Sequence, residues 1–255
     1  MSKPAPVKAV IFDLGHTVWD FAPREDTWKL NILRLHERLS SCETGTVPPP
    51  RELGRALADT ISGWMRSWDT DVLEQPSSEV LVAEALAEVQ LAPATDVVSE
   101  LTALLFGQEL DMPVIAPDSV AMFDALDSSG ISMACVSNTI TLEVGINDVL
   151  MRLGMLRYFR SVVASSAMGY KKPHASLFER ALAEIEIDPQ HAVFVGDRLV
   201  DDISGAQAIG MRAVLTHQFR QEDASASDIA PDAIIRRLAE LPAVIEAFER
   251  GASYP

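Results

Sequence analysis

Cysteine is scarce in this chain, with two among 255 residues. Cys42 and Cys135 lie far apart, so they supply neither a disulfide framework nor a cysteine-ligated zinc site. Both are expected to be reduced, and Cys135 sits in an apolar run that reads as core. Long hydrophobic runs are also lacking. No stretch reaches the roughly 18 apolar residues that a membrane-spanning helix requires. The N-terminus has no extended apolar region followed by a small-residue cleavage site, which a signal peptide would show. The expectation is a soluble, cytoplasmic protein. Basic charge is short too: 21 Lys plus Arg stand against 37 Asp plus Glu, a net charge of −16. That balance argues against nucleic acid and against docking on an anionic membrane, both of which need clustered basic residues. An anionic substrate would need a local positive site set against the global field. Internal repeats and low-complexity tracts are absent.

What the chain does have is apolar content. At 48% hydrophobic residues it can fill a core, and its length suits one large domain or one domain with an insertion. Short apolar runs each end in polar residues. Val7 to Phe12 ends at Asp13, and Ile131 to Val136 ends at Ser137-Asn138. Ser161 to Ala164 ends at Ser165-Ser166, Ala192 to Val195 at Gly196-Asp197, and Ala213 to Leu215 at Thr216-His217. Continuous runs of this kind fit buried parallel strands. Helical segments are predicted between them: Asp118 to Ser129, Thr141 to Leu156 (with Val144, Val149, Leu153 and Leu156 near one face), His174 to Ile185, and Asp201 to Ile209. A terminal helix or two is expected over Asp232 to Arg250. Strands alternating with helices imply an α/β fold with a doubly wound parallel sheet, whose ligands sit beyond the carboxyl ends of the strands. Those ends carry Asp13, Ser137, Asn138 and Asp197.

Residues from about 19 to 117 read as a helical insertion. Trp28, Ile32, Leu35 and Leu39 have helical spacing, as do Leu53, Leu57, Ile61, Trp64 and Trp68, and two further sets follow. All four tryptophans, at 19, 28, 64 and 68, lie in or beside this stretch. They either pack a small bundle or, for one or two of them, line a pocket. The expected division is a core of residues 1–18 and 118–255 and a helical cap of residues 19–117.

The polar residues at the strand ends suggest chemistry. A carboxylate at the mouth of a central strand can be a nucleophile, a metal ligand or both. Gly15 follows Asp13 closely and lets the backbone bend around a ligand. Asp197, Asp201 and Asp202 cluster at a second strand end. Carboxylates converging there with Asp13 would repel one another unless a cation or proton lay between them. Hard oxygen ligands suit Mg²⁺. The Asp201-Asp202 pair also fits a helix N-terminus, where acids favour the dipole. Lys171-Lys172-Pro173 precedes a helix, either as two solvated lysines or with one aimed at the strand-end pocket.

Four segments in order carry a family resemblance: Asp13-Leu14-Gly15-His16-Thr17-Val18, Val136-Ser137-Asn138, Gly169-Tyr170-Lys171-Lys172-Pro173, and Val195-Gly196-Asp197 with Asp202. Together they resemble the haloacid dehalogenase-like (HAD) hydrolase superfamily, in the subgroup whose helical cap follows the first motif. The resemblance implies a Rossmann-like core and a Mg²⁺-dependent phosphatase acting on a small phosphorylated metabolite. By that resemblance, Asp13 is the nucleophile that forms an aspartyl-phosphate. Ser137 bonds the transferring phosphoryl group, and Asn138 beside it shapes the substrate site. Lys172 offsets the charge of nucleophile and phosphate, leaving Lys171 solvated. Asp13, Asp197, Asp202 and the backbone carbonyl of Gly15 serve the metal.

One departure is chemical. The family's usual first motif has a second aspartate two residues after the nucleophile, which acts as general acid and base. Here that position is Gly15, and His16 is the expected partial replacement because it titrates near neutral pH. Two alternatives remain. One is a metal-independent 2-haloacid dehalogenase in which Asp13 attacks carbon. The other is a catalytically impaired member that binds a phosphorylated ligand or a protein partner. Arg198, His217 and Arg220 lie near the strand ends and are expected on the solvated surface.

Overall fold

The computed structural model describes residues 5–22, 25–42, 46–66, 72–107 and 112–254. Six parallel strands form the central sheet in the order β5-β4-β1-β6-β7-β8. They are β1 (Ala9–Phe12), β4 (Ser132–Ser137), β5 (Phe159–Ala164), β6 (Ala192–Gly196), β7 (Arg212–Thr216) and β8 (Ala233–Ile235). From β1 the chain winds outward through β4 and β5, returns to β6 on the other side, and winds out again. The order therefore reverses around β1, and a crevice opens beyond the carboxyl ends of β4, β1 and β6.

Both faces of the sheet are covered, which explains why its strands read as unbroken apolar runs. On one face Val10, Phe12, Cys135, Val193 and Val195 pack against α5 (Ser119–Ser128), α6 (Glu143–Arg152) and α9 (Leu241–Glu249). On the other, Ala9, Ile11, Ala134, Val136 and Phe194 meet α7 (Ala175–Ile185) and the short α8 (Gly205–Ala208). The α7 residues Leu177, Phe178, Ala181, Leu182 and Ile185 recur at helical spacing and are all buried. Cys135 is buried as expected, and burial pushes its thiol well above the ordinary range.

A third apolar cluster belongs to α1 (Glu25–Cys42), α2 (Pro50–Met65), α3 (Ser78–Glu88) and α4 (Thr95–Phe106). Leu35, Leu39, Leu53, Leu57, Leu86, Leu101 and Leu105 are its centre, each no more than 1% exposed. Among the described residues no helix is long and apolar enough to cross a membrane.

Three local expectations are corrected. Trp19–Ala22 (β2) and Met112–Ile115 (β3) pair as an antiparallel ribbon inside the segment expected to be helical throughout. Each strand has four residues and β3 contains Pro113, so neither shows a readable period; proline is tolerated because a two-stranded ribbon has only edges. Ala233–Ile235, expected as helix, is the edge strand β8. It is anchored where Asp232 accepts a 2.8 Å hydrogen bond from the Ala213 amide. Val144 is 62% exposed, and α6 instead buries Ile146, Val149 and Leu150. Trp68 lies outside the described residues, while Trp19 and Trp28 both line the cavity described next.

Candidate active site

Asp13 follows β1, Ser137 ends β4 and Asp197 follows β6, so the crevice at the sheet's reversal gathers all three. Lys172 arrives from the connection between β5 and α7. It is 2% exposed, and its Nζ lies 2.7 Å from Asp13 Oδ1 and 2.6 Å from Asp202 Oδ1. Asp202 Oδ2 accepts hydrogen bonds from the backbone amides of Asp197 at 3.0 Å and Arg198 at 2.9 Å. The acid thus ties the lysine to the β6 loop with three of its roughly four acceptor positions.

A π-helical turn, Leu199–Ser204, puts Asp202 in place. The amides of Asp202 and Ile203 both reach the Arg198 carbonyl, at 3.1 and 3.2 Å, and the wide turn accommodates one extra residue. Gly196 is required there, because a Cβ would collide with the Asp202 carboxylate.

Asp197 lies in the same cluster. Thr17 Oγ1 donates to its Oδ1 at 3.4 Å. Arg220 Nη1 stands 3.0 Å from its Oδ2, an ion pair by distance but without hydrogen-bond geometry, so this buried oxygen has no hydrogen-bond donor. Carboxylate oxygens of Asp13, Asp197 and Asp202 all lie within 4.8 Å of one another. Asp13, Asp197 and Asp202 outnumber the two cations that pair with them, Lys172 and Arg220. Burial, opposed by Lys172 and assisted by Asp202, raises the Asp13 carboxyl to about 6. Burial together with Asp13 and Asp202 raises Asp197 to about 8. For Lys172, burial favours the neutral amine, but Asp13 and Asp202 outweigh it and hold the ammonium above its ordinary value. An all-oxygen donor set, excess negative charge and an orphaned oxygen on Asp197 fit a hard divalent cation.

The loop after Asp13 is tight. The His16 amide donates to the Trp19 carbonyl at 2.7 Å, and His16 adopts the left-handed region with φ 58°. Histidine is among the few residue types enriched there. Its Nδ1 lies 3.0 Å from Asp20 Oδ1, and its ring stands edge-on to Phe21. Burial, then the positive charge of Arg220, lowers its pKa and favours the neutral imidazole. Gly15 and His16 both line the cavity.

Asn138 also lines the cavity, yet its amide is engaged with Lys172. Its Oδ1 accepts from the Lys172 amide at 2.7 Å, and its Nδ2 donates to the Lys172 carbonyl at 3.2 Å. Asn138 therefore fixes the backbone that presents the lysine. Lys171 was expected in solvent but is 3% exposed. The reason is a chain segment remote in sequence: the Lys171 amide donates to Leu73, and the Gln75 amide to Gly169, which lays Leu73–Gln75 over the lysine loop. Arg220, also expected on the surface, pairs with Asp197 instead. His217 hydrogen-bonds the Glu222 carbonyl through Nε2 at 3.1 Å. Thr17 stood in the first motif but was assigned no role, because a threonine behind a strand end carries no chemical signature of its own.

Asp13, Ser137, Asn138, Lys172, Asp197 and Arg220 form the floor of a cavity of about 610 Å³. Its opposite wall comes from Trp28 on α1 and from Ala58, Ile61, Ser62 and Met65 on α2.

Comparison with known proteins shows the family. The family model for haloacid dehalogenase-like hydrolases matches residues 7–210, most of the chain. The chain belongs to the haloacid dehalogenase-like hydrolase family. This HAD-like chain is 32% identical over 247 residues to a glyceraldehyde 3-phosphate phosphatase of Methanopyrus kandleri, covering 96% of this chain and 99% of that protein. It is 33% identical over 227 residues to a ribulose-1,5-bisphosphate 5-phosphatase of Halopiger xanaduensis, covering 86% and 88%. The match to the glyceraldehyde 3-phosphate phosphatase of Methanothermobacter thermautotrophicus is 35% over 101 residues, 40% of this chain and 44% of that protein. Among solved structures, a 2-haloacid dehalogenase from Pseudomonas syringae pv. Tomato superposes with a TM-score of 0.62 at 25% identity, covering 95% of this chain and 99% of that one.

Proposed function

We propose that this HAD-like hydrolase is a Mg²⁺-dependent phosphatase that cleaves a small phosphorylated metabolite through an aspartyl-phosphate on Asp13. The observation that carries this reading is the placement of Lys172 between Asp13 and Asp202, beside an Asp197 whose oxygen lacks a donor. Asp13, Asp197 and the backbone carbonyl of Gly15 would hold Mg²⁺, with Asp202 bracing the cluster. Bound there, the ion would neutralise the acids and polarise the phosphoryl oxygens as a Lewis acid.

The residues do the rest. A phosphoryl-transfer transition state needs positioning and positive charge more than covalent help. Lys172 keeps Asp13 ionised above about pH 6 and offers its ammonium to the incoming phosphate. Ser137 donates its hydroxyl to a phosphoryl oxygen, and Asn138 holds the lysine in register. An Asp13 oxygen attacks phosphorus while the bond from phosphorus to the ester oxygen breaks. Water then attacks the phosphorus of the aspartyl-phosphate, releasing inorganic phosphate and restoring the carboxylate. The leaving alkoxide needs a proton, and the attacking water must lose one. With Gly15 unable to serve, His16 replaces it in part: its neutral imidazole accepts the proton of the attacking water, while the leaving alkoxide takes its proton from solvent water, a base contribution of roughly 10²–10⁴-fold when well placed. Residues 1–18 and 118–255 act in this account as the catalytic core, and residues 19–117 as a cap that closes to exclude water. The cytoplasm is the location this account implies.

The test is release of inorganic phosphate from an activated aryl phosphate with and without Mg²⁺. Metal-dependent release is expected, and its loss in Asp13→Asn. Metal-independent turnover of a 2-haloacid with no phosphatase activity would replace this account with the dehalogenase alternative.

A further inference from the structure

The two walls of the cavity differ in chemistry. Among the described residues, every charged lining side chain, Lys172 and Arg220 included, belongs to the strand-end loops of the sheet. The facing wall is different. Ala58, Ile61, Ser62 and Met65 are spaced three, four and seven residues from the first, which puts them on one stripe of α2. Trp28 of α1 extends that wall, and Trp19 and Phe21 of the β2/β3 ribbon flank it. Among the described residues, Ser62 is the one polar side chain that α1 and α2 contribute to the lining. Arg55 lies one turn earlier on the same face of α2, is exposed, and falls outside the lining.

Within the stripe Ile61 also packs in the helical cluster, but Ala58 and Met65 belong to no apolar cluster of the described residues. Leu53, Leu57 and Ile61 already turn α2 toward its helical neighbours. Ala58 is only half-buried and Met65 is 44% exposed, so both are open to the cavity. Apolar groups facing a charged floor that would take the phosphate make a site for a ligand with one anionic end and one apolar end. A cavity of about 610 Å³ also leaves room well beyond a phosphate group.

We propose that the alcohol half of the substrate is apolar and bulky, an aromatic or branched alkyl group, and that the enzyme discriminates against polyhydroxylated phosphates. This rests on the phosphatase reading and adds the substrate class to it. A sugar or polyol bound against this wall would exchange its water for methyl, thioether and ring carbon, leaving most hydroxyls without partners. An apolar group would displace water from Trp28, Ile61 and Met65 instead. The glyceraldehyde 3-phosphate and ribulose-1,5-bisphosphate phosphatases similar to this chain are named for polar substrates, so this chain would differ from them in its α1/α2 wall.

The test compares kcat/KM for 3-phenylpropyl phosphate and glycerol 3-phosphate, with p-nitrophenyl phosphate as the control for phosphatase chemistry. Both test esters leave as primary alcohols, so leaving-group chemistry does not favour the apolar one. A preference of about 100-fold or more for phenylpropyl phosphate is expected, on the scale of one or two methylene-sized contacts in a hydrophobic pocket. Met65→Asn changes an exposed side chain and should fold; it should lower that preference about 10-fold. Ala58→Asp places a carboxylate on the same stripe and should lower it further. Turnover of p-nitrophenyl phosphate with glycerol 3-phosphate equal to or better than phenylpropyl phosphate would overturn this inference alone. Absence of all three activities from folded protein would overturn the phosphatase reading, and this inference with it.

Discussion

Replacing Lys172 with methionine should destabilise the metal-free protein, and by an amount that grows with pH. The ammonium is 2% exposed and lies within 2.7 Å of two buried carboxylates. Methionine keeps much of the volume but leaves Asp13 and Asp202 without their counter-charge. Removing one partner of a buried ion pair costs about 3–5 kcal/mol. For a chain of this size each kcal/mol shifts Tm by roughly 2–4 °C, so a fall of about 6–20 °C is expected at alkaline pH. At acid pH the loss should be smaller, because Asp13 can discharge itself by taking a proton. Its folded pKa is already raised to about 6 by burial, against 3.8 unperturbed, so the folded state holds a proton that the unfolded state has lost. Stability therefore falls as pH rises between those values, by up to about 1.4 kcal/mol per unit for each such group. Without Lys172 the Asp13 carboxyl moves higher and the falling window extends further. Thermal unfolding in chelator, followed by circular dichroism at about pH 5 and about pH 8, reads both effects. Adding Asp202→Asn should restore part of the loss by removing one stranded charge. A Tm within about 2 °C of wild type at about pH 8 would refute the claim that Lys172 offsets these acids.

Other outcomes follow from the same cluster. Asp197 is raised to about 8, so its contribution to stability is present below its unfolded value and is lost as pH rises through about 8. The metal-free protein should then lose Tm from neutral to mildly alkaline pH, and Mg²⁺ should raise Tm more at about pH 8 than at about pH 5, where the ligand carboxylates hold protons; an equal gain at both would contradict the linkage. Gly15→Asp should fold, because Gly15 is not in the left-handed region and its added Cβ would press only on the Phe21 ring edge at 3.1 Å. It should raise turnover of esters with poor leaving groups by about 10-fold or more, by supplying a general acid; equal rates in both proteins would show that acid catalysis does not limit. His16→Ala should slow turnover far more than it raises KM, and an unchanged rate constant would remove His16 from the mechanism.

How far each feature was legible depended on how many residues expressed it. The buried runs of β1, β4 and β6 were readable because helices cover both sheet faces and their inner positions are apolar. The three residues of β8 were not, since an edge strand that short merges with the amphipathic stretch after it. The β2/β3 ribbon was hidden for a similar reason, with Pro113 interrupting one of its two short strands. Asp13, Ser137, Lys172 and Asp197 stand at strand ends or helix starts, so local pattern located them, and the family resemblance suggested what they do. Lys171 and Arg220 were misjudged because their surroundings are set by distant chain. Leu73–Gln75 covers the first, and Asp197 draws in the second. The division of the cavity into a charged floor and an apolar wall depends on how α2 turns toward the sheet, which helical periodicity alone does not specify.

The central claim is that Asp13 is phosphorylated during turnover. Acid quenching of the enzyme with Mg²⁺ and excess aryl phosphate, followed by proteolysis and mass spectrometry, tests it directly. The account predicts the mass increment of one phosphoryl group on the peptide containing Asp13, absent without substrate and absent in Asp13→Asn. Phosphate release in steady turnover with no increment on that peptide, or with the increment on another residue, would contradict it.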